Sequence, residues 1–415
     1  MTTSTRLLTP LPDDLRAAYD ALTPEALRAR GSLKWSQYGD AIGAWVAEMD
    51  LGTAPAVTRA LRGAVDDAAF GYMPPAFAQS ARKATAAYQA DSFGWDVPVE
   101  DVSLLPDVLS SLRSVIQFMT EPGSTVIVPT PAYMPFLSIP GEYGRELLEV
   151  PALRAEADAI AAGAPEWSLD LGAIETAMAN GAGLLVLCNP WNPVGRVLTA
   201  DELDAVAALS SRYGVPVFAD EIHSCLVLEE GLTHVPYASR PGADPALTWT
   251  ATAASKGWNL PGLRCAQLIA SGAARKEWEA QPLCQHLAFE AAGIGALATS
   301  AALSPEGRAW NEGVRAYVRG NRDLVAERLA DVEGVCFTAP AGTYLSWLDC
   351  SGRILPEGVS PMKHLLREAG VATNDGATFG AGSESFVRLN LATGRGVEEE
   401  TVSCIATALE ALPLR

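Results

Sequence analysis

At 415 residues, 49% hydrophobic and only 19% charged, the chain has a globular composition and can hold a large core, which excludes a disordered polymer. A formal net charge of −19 argues against a nucleic-acid binder, because phosphate repulsion would have to be overcome locally. The start, Met1 to Leu8, lacks the apolar core of a signal peptide, no apolar run reaches membrane-spanning length, and the seven scattered cysteines form no CxxC pair; free thiols in the cytoplasm are expected, with neither a metal site nor a membrane partner.

Residues 9–30 read as an amphipathic arm and helix, with Leu11, Leu15, Tyr19 and Leu22 at near-helical spacing. The run Ala44 to Asp50 reads as a strand packing Trp45, Val46 and Met49. Phe70-Gly71-Tyr72-Met73 precedes a helix starting near Pro75, and Tyr72 taken alone is an ordinary core or surface tyrosine. Val102 to Leu105 is a short strand. The turn at Pro106-Asp107 opens a helix through Val108 and Leu109, whose free N–H groups and positive dipole end can cradle a phosphate, although no glycine-rich fingerprint accompanies it. A strand over Thr125 to Val128 leads to Tyr133, by default a core aromatic, and the alanine-rich stretch Ala155 to Gly163 reads as a surface excursion.

The strand Gly183 to Cys188 runs into Asn189-Pro190-Trp191-Asn192-Pro193, where asparagine before proline favours an extended or turn conformation and holds Asn192 at the strand's C-terminal end. A helix over Ala200 to Tyr213 and a strand over Val215 to Ala219 follow, the strand ending at Asp220. A further strand, Ala246 to Thr252, delivers Ser255-Lys256-Gly257. The alternation from 46 to 270 predicts a mainly parallel sheet with helices on both faces, whose strand ends are where such sheets bind ligands. Beyond about 275 the pattern changes to long helical stretches, Ala288 to Ala302 and Gly307 to Ala330, then a strand within Gly342 to Asp349 and another holding Arg388.

Two residues stand out as chemistry. The chain has five lysines, Lys34, Lys83, Lys256, Lys276 and Lys363, and Lys256 is the one placed where a strand ends beside a glycine turn. A lysine that must lose its proton to form a Schiff base needs desolvation or a cationic neighbour, which such a turn can supply; a plain loop lysine is an equal reading of that stretch alone. Arg388 lies between apolar residues in a strand and needs a partner there, either a structural carboxylate or that of a ligand bound bidentately.

The ordered set Asn192, Asp220 to His223, Lys256, Arg264 and Arg388 resembles the fold-type I pyridoxal-phosphate enzymes of the class I/II aminotransferase family. The spacings are 220 − 192 = 28, 256 − 220 = 36 and 264 − 256 = 8, and the likeness runs from about Lys34 to Arg395. It implies an α/β fold with a large cofactor-binding domain (46–290) and a small α+β C-terminal domain (291–415), to which an N-terminal arm (1–45) contributes. It implies pyridoxal 5'-phosphate held covalently by Lys256. Val108, Leu109, Ser255 and Arg264 would hold the phosphate and Tyr133 would stack on the ring. Asn192 would donate to the phenolic oxygen, Asp220 would pair with the ring nitrogen, and His223 has either a structural or a cofactor-side role. Tyr72 would reach the partner's phosphate in a homodimer. Arg388, Asn192, Trp45 and Trp191 would face a small amino-acid substrate.

The segment Trp45 to Asp50 resembles the cystathionine β-lyase or C–S lyase branch, with Glu48 where aspartate is usual. The expected reaction is β-elimination from an L-cysteine S-conjugate, giving thiol, pyruvate and ammonia. Alternatives are amino transfer, decarboxylating oxidative deamination, or a non-catalytic cofactor-binding regulator. Arg264 is an aminotransferase-like feature, Ala253 replaces a small hydroxyl residue, and Trp191, Gly257 and Trp258 are expected to alter the walls for a bulky S-substituent.

Overall fold

The computed structural model describes residues 9–415; the reading of Met1 to Leu8 lies outside them. A seven-stranded sheet is built from β1 (Val102–Leu105), β2 (Thr125–Thr130), β3 (Glu146–Pro151), β4 (Leu184–Cys188), β5 (Val217–Asp220), β6 (Thr248–Thr252) and β7 (Ala266–Ile269), in the order β1-β7-β6-β5-β4-β2-β3. β3, β2, β4, β5 and β6 pair in parallel, and β7 runs antiparallel to both β6 and β1. The near-continuous burial of β4, β5 and β6 is what a parallel strand covered on both faces requires. Two apolar clusters cover the faces, one around Ile127, Leu185, Leu203 and Val217, the other around Leu112, Val128, Val186 and Phe218. The fold is therefore α/β, as expected, with β7 as the antiparallel exception.

A second sheet consists of β8 (Cys336–Thr338), β9 (Leu345–Asp349), β10 (Asn374–Asp375) and β11 (Phe386–Asn390), in the antiparallel order β8-β9-β11-β10. The 25-residue helix Pro305–Leu329 and the helix Arg395–Glu410 pack beside it. The N-terminal segment joins this region: Ile42 and Gly43 pair in parallel with Val371 and Ala372, and Tyr317 donates to Asp20.

Four local readings need correction. Residues 9–30 form two helices, Asp13–Asp20 and Pro24–Arg30, because Thr23 caps a new helix that opens on Pro24. The run 288–302 is broken at Ala291 and Ala292, whose backbones are extended, into Pro282–Glu290 and Gly293–Ala302. Pro245 starts a short 3-10 turn, so β6 begins at Thr248. The segment after Gly43 is not a strand; it is irregular backbone held by the side chains of Lys34, Asn259, Tyr344, Arg388 and Asn390.

Candidate active site

A cavity of about 220 Å³ lies at the C-terminal ends of the parallel strands. Register explains the convergence: Cys188 pairs with Asp220 and Asp220 with Ala251, so the residues that leave β4, β5 and β6 enter one space. Asn192 comes from the loop after β4, Asp220 from the end of β5, and Ser255 and Lys256 from the turn after β6. Pro106 to Leu109 after β1 and Tyr133 after β2 complete the same wall.

Asp220 is buried, and its Oδ1 accepts the Ile222 N–H at 3.0 Å. Burial pushes its pKa up to about 7, against the opposing pull of that N–H and of Lys256. The Lys256 Nζ donates to the Ala47 carbonyl at 3.2 Å. Burial, then the Arg388 charge, lowers its pKa to about 8, although Asp220 and Glu48 act the other way. For both groups the loss of water outweighs their mutual attraction, so each is shifted toward its uncharged form.

Arg388 is buried and bound by neutral oxygens: Asn192 Oδ1 at 3.0 Å, Asn374 Oδ1 at 2.6 Å and the Trp45 carbonyl at 3.1 Å. Its guanidinium also lies 5.0 Å above the Phe379 ring. Among the described residues no carboxylate pairs with it, its Nε has no acceptor, and burial lowers its pKa to about 10. The cation thus keeps donors and charge for an anion from outside. Because Asn192 gives its oxygen to Arg388, its amide N–H groups remain to donate elsewhere.

The helix Val108–Met119 is capped by Asp107, whose Oδ1 accepts from the Ser110 N–H at 2.7 Å. Its first turn, with Val108 and Leu109, lines the cavity and presents N–H groups that have no intrahelical acceptor. Arg264, in a left-handed backbone conformation (φ 48°), pairs with the other Asp107 oxygen at 2.7 Å. That pair places a cation and a helix N-terminus on one wall. His223 also lines the cavity; it is buried, its Nδ1 has no partner, and burial together with Lys256 and Arg388 holds its pKa well below the usual histidine value.

Other expected residues lie elsewhere. Trp191 is buried in the core with its Nε1 donating to the Pro131 carbonyl at 2.9 Å, and it does not line the cavity. Trp258 likewise points away, its Nε1 bound to the Gly307 carbonyl at 2.8 Å. Neither side chain lines this cavity, where walls for an S-substituent had been expected of both. The Trp45 side chain stands against Tyr38, and its contribution is the carbonyl that Arg388 uses. Tyr72 is 95% exposed on a surface loop, outside the cavity of its own chain.

Sequence reasoning passed over the backbone wall opposite Lys256. Asn390 Nδ2 donates to the Val46 and Glu48 carbonyls at 2.6 and 2.7 Å. Asn259 binds Met49 twice, through N–H to Oδ1 at 3.0 Å and Nδ2 to carbonyl at 2.9 Å. The Tyr344 hydroxyl donates to the Ala47 carbonyl at 3.1 Å. Asn259 and Asn390 lie close in sequence to Lys256 and Arg388; Tyr344 and Asn374 carry no signal of their own.

A strand-end lysine facing a strand-end carboxylate on this sheet, with an arginine brought over from a second sheet, defines the fold-type I pyridoxal-phosphate enzyme fold. Residues 46–405 match the family Aminotransferase class I and II, and the chain belongs to that family. It is 36% identical over 389 residues to the cystathionine beta-lyase of Corynebacterium glutamicum, covering 93% of this chain and 98% of that one. To the cystathionine beta-lyase PatB of Bacillus subtilis (strain 168) it is 30% identical over 388 residues, with 91% and 96% covered. The solved structure of the PLP-bound C-S lyase from Staphylococcus hominis matches with a TM-score of 0.85 at 23% identity, covering 94% and 98%, a likeness of fold.

Proposed function

We propose that the protein is a pyridoxal-phosphate-dependent carbon–sulfur β-lyase that converts an L-cysteine S-conjugate and water to a thiol, pyruvate and ammonium. The observation that carries the reading is Arg388: a buried cation caged by neutral oxygens, near enough to Lys256 to lower its proton affinity. An amino acid's α-carboxylate is the anion that such a fork fits, and it would bring the α-carbon to the lysine amine. The names of the relatives support elimination over amino transfer.

The donor set fits the cofactor. The Val108 and Leu109 N–H groups, the Ser255 hydroxyl and Arg264 would hold its phosphate; Tyr133 and Asn192 would flank the ring, His223 would stand beside it, and Asp220 would hold the ring nitrogen. Bound there, pyridoxal 5'-phosphate supplies an electron sink that makes the substrate's α-proton acidic. Arg388 orients the carboxylate, and the Lys256 amine, whose lowered pKa of about 8 keeps part of it neutral near neutral pH, takes the α-proton. The Cβ–S bond then breaks with its electron pair leaving on sulfur, which gains a proton and departs as the thiol. The remaining three-carbon enamine acid takes up water and loses ammonia to give pyruvate.

We read residues 46–290 as the cofactor-binding unit and 291–415, with 1–45, as the unit that carries Arg388. We also read the protein as a homodimer, in which the exposed Tyr72, close in sequence to the exposed Phe70, serves the partner's phosphate site. The test of the reaction is to supply an S-alkyl-cysteine to the holoenzyme and measure thiol and pyruvate with and without a keto acid. Both products in the absence of a keto acid are expected. Keto-acid-dependent amino transfer without thiol, or oxygen uptake and carbon dioxide release with sulfur retained, would overturn the reading in favour of the aminotransferase or the oxidative deaminase.

A further inference from the structure

Behind Asp220 lies a second, fully buried polar cluster that does not line the cavity. Glu221, His234 and Asn189 are each no more than 2% exposed. Glu221 Oε1 accepts the Tyr237 N–H at 2.7 Å, and its Oε2 lies 3.0 Å from His234 Nε2. On the other side of the imidazole, Asn189 Nδ2 lies 3.4 Å from His234 Nδ1. The Asn189 amide cannot turn over without loss, because its Oδ1 accepts the Leu198 N–H at 3.0 Å. Asn189 Nδ2 is therefore the donor, His234 Nδ1 the acceptor, and the histidine's one N–H sits on Nε2, directed at Glu221. The network defines a neutral histidine and leaves Glu221 as an anion with two N–H donors and no cation.

We propose that Glu221 and His234 are positioning residues of the active site: the anion, fixed by a neutral histidine, holds the turn that aims Asp220 into the cavity and keeps negative charge directly behind it. The inference rests on the reading of Asp220 as the ring-nitrogen partner. Two backbone bonds show the coupling, for the Asn189 N–H donates to the Asp220 carbonyl at 2.9 Å and the Glu221 N–H to the Ala251 carbonyl at 2.8 Å. The cluster thereby ties the ends of β4, β5 and β6 together at the carboxylate. The groups that act on Asp220 are Lys256, which favours its ionised form, and Glu221, which favours its proton; Tyr133 and Cys188 are the other titratable groups that feel its charge. The Phe93 ring stands edge-on to the His234 ring, with centroids 5.1 Å apart. A second negative charge held one residue from Asp220 raises the proton affinity of a ring nitrogen placed there, and a protonated ring nitrogen is the state an electron sink needs.

Nitrogen-15 NMR of the apoprotein histidines, with His234→Gln for assignment, should show His234 as the neutral Nε2–H tautomer at neutral pH. An imidazolium or an Nδ1–H tautomer would overturn the proposal, and this measurement needs no foldable Glu221 variant. In holoenzyme carrying ring-labelled pyridoxal phosphate, Glu221→Gln should move ring-nitrogen deprotonation to lower pH and weaken cofactor binding on the order of tenfold. A Glu221→Gln enzyme that is less stable but has an unmoved ring titration would make the pair merely structural and sink the proposal. Asp220→Asn separates the two levels. If it leaves the ring titration unchanged, the reading of Asp220 fails; if it abolishes ring protonation while Glu221→Gln does nothing, only the role of the pair fails.

Discussion

Removing the charge of Arg388 should make Lys256 a poorer nucleophile at neutral pH. The Lys256 amine has a pKa lowered from 10.5 to about 8, with burial as the first cause and Arg388 as the second. At pH 7.5 a group of pKa about 8 is roughly one-quarter neutral, whereas one of 10.5 is neutral in about one molecule per thousand, so the whole effect is on the order of 200-fold in reactive amine. Burial persists in Arg388→Gln and still lowers the pKa, but no cation then offsets the upward pull of Asp220 and Glu48; a loss of about tenfold is expected. The assay is the rate at which the apoprotein is trapped by an aldehyde and borohydride across pH, with the modified peptide mapped to Lys256. Arg388→Lys retains the cation and should retain most of the rate. An Arg388→Gln protein with an unmoved pH–rate profile would refute the electrostatic argument, as would an Arg388→Lys protein shifted just as far.

Four further outcomes follow from the same geometry. Asp220→Asn removes a charged hydrogen bond worth about 1.5–3 kcal/mol and should cost roughly 10- to 150-fold in kcat. The same variant should melt higher than the parent as apoprotein above pH 7. The folded pKa of Asp220 is raised, so its favourable contribution is present below the unfolded value and lost as pH rises through about 7; calorimetry across pH should show the gap closing in acid. Mixing Tyr72→Ala with Lys256→Ala subunits should restore about one-quarter of parental activity, because half the dimers then carry one undamaged site; no recovery would place Tyr72 in its own chain's site. Asn374→Asp would put a carboxylate on Arg388 and neutralise it, and should raise KM for the amino acid by on the order of tenfold, whereas Asn374→Ala should change KM less.

What could be read from the sequence is what depends on local chain chemistry. The apolar runs of β4 and β5 and the punctuation by Pro190, Pro193 and Asp220 mark strand ends without knowledge of their neighbours, and the site residues follow those ends. The two-helix N-terminus was also written locally, in Thr23-Pro24. Direction of a side chain within an irregular turn was not. Trp191 sits between Pro190 and Asn192, and whether its ring faces the cavity or the Pro131 carbonyl depends on how two separate loops pack. The break at Ala291 and Ala292 has no local signature, since alanine favours continuation of the helix and only tertiary packing ends it. Tyr344, just before β9, and Asn374, in β10, have targets 297 and 14 residues away in sequence. Long-range partners of that kind leave no periodicity.

The cage around Arg388 shows why the binding cation is built from neutral groups. A carboxylate in place of Asn192 or Asn374 would have satisfied the guanidinium more strongly, but the desolvated pair would have had nothing left for a ligand and would have lost the positive potential that lowers the Lys256 proton affinity. Two carboxamide oxygens and one carbonyl fix the fork's orientation while leaving its charge whole. The cost is a buried cation with an unpartnered Nε, which the fold offsets with the Phe379 ring face and with β11 buried along its whole length. The desolvation cost carried by Arg388 and Asp220 is one that a ligand supplying an anion to the first and a protonated nitrogen to the second would relieve.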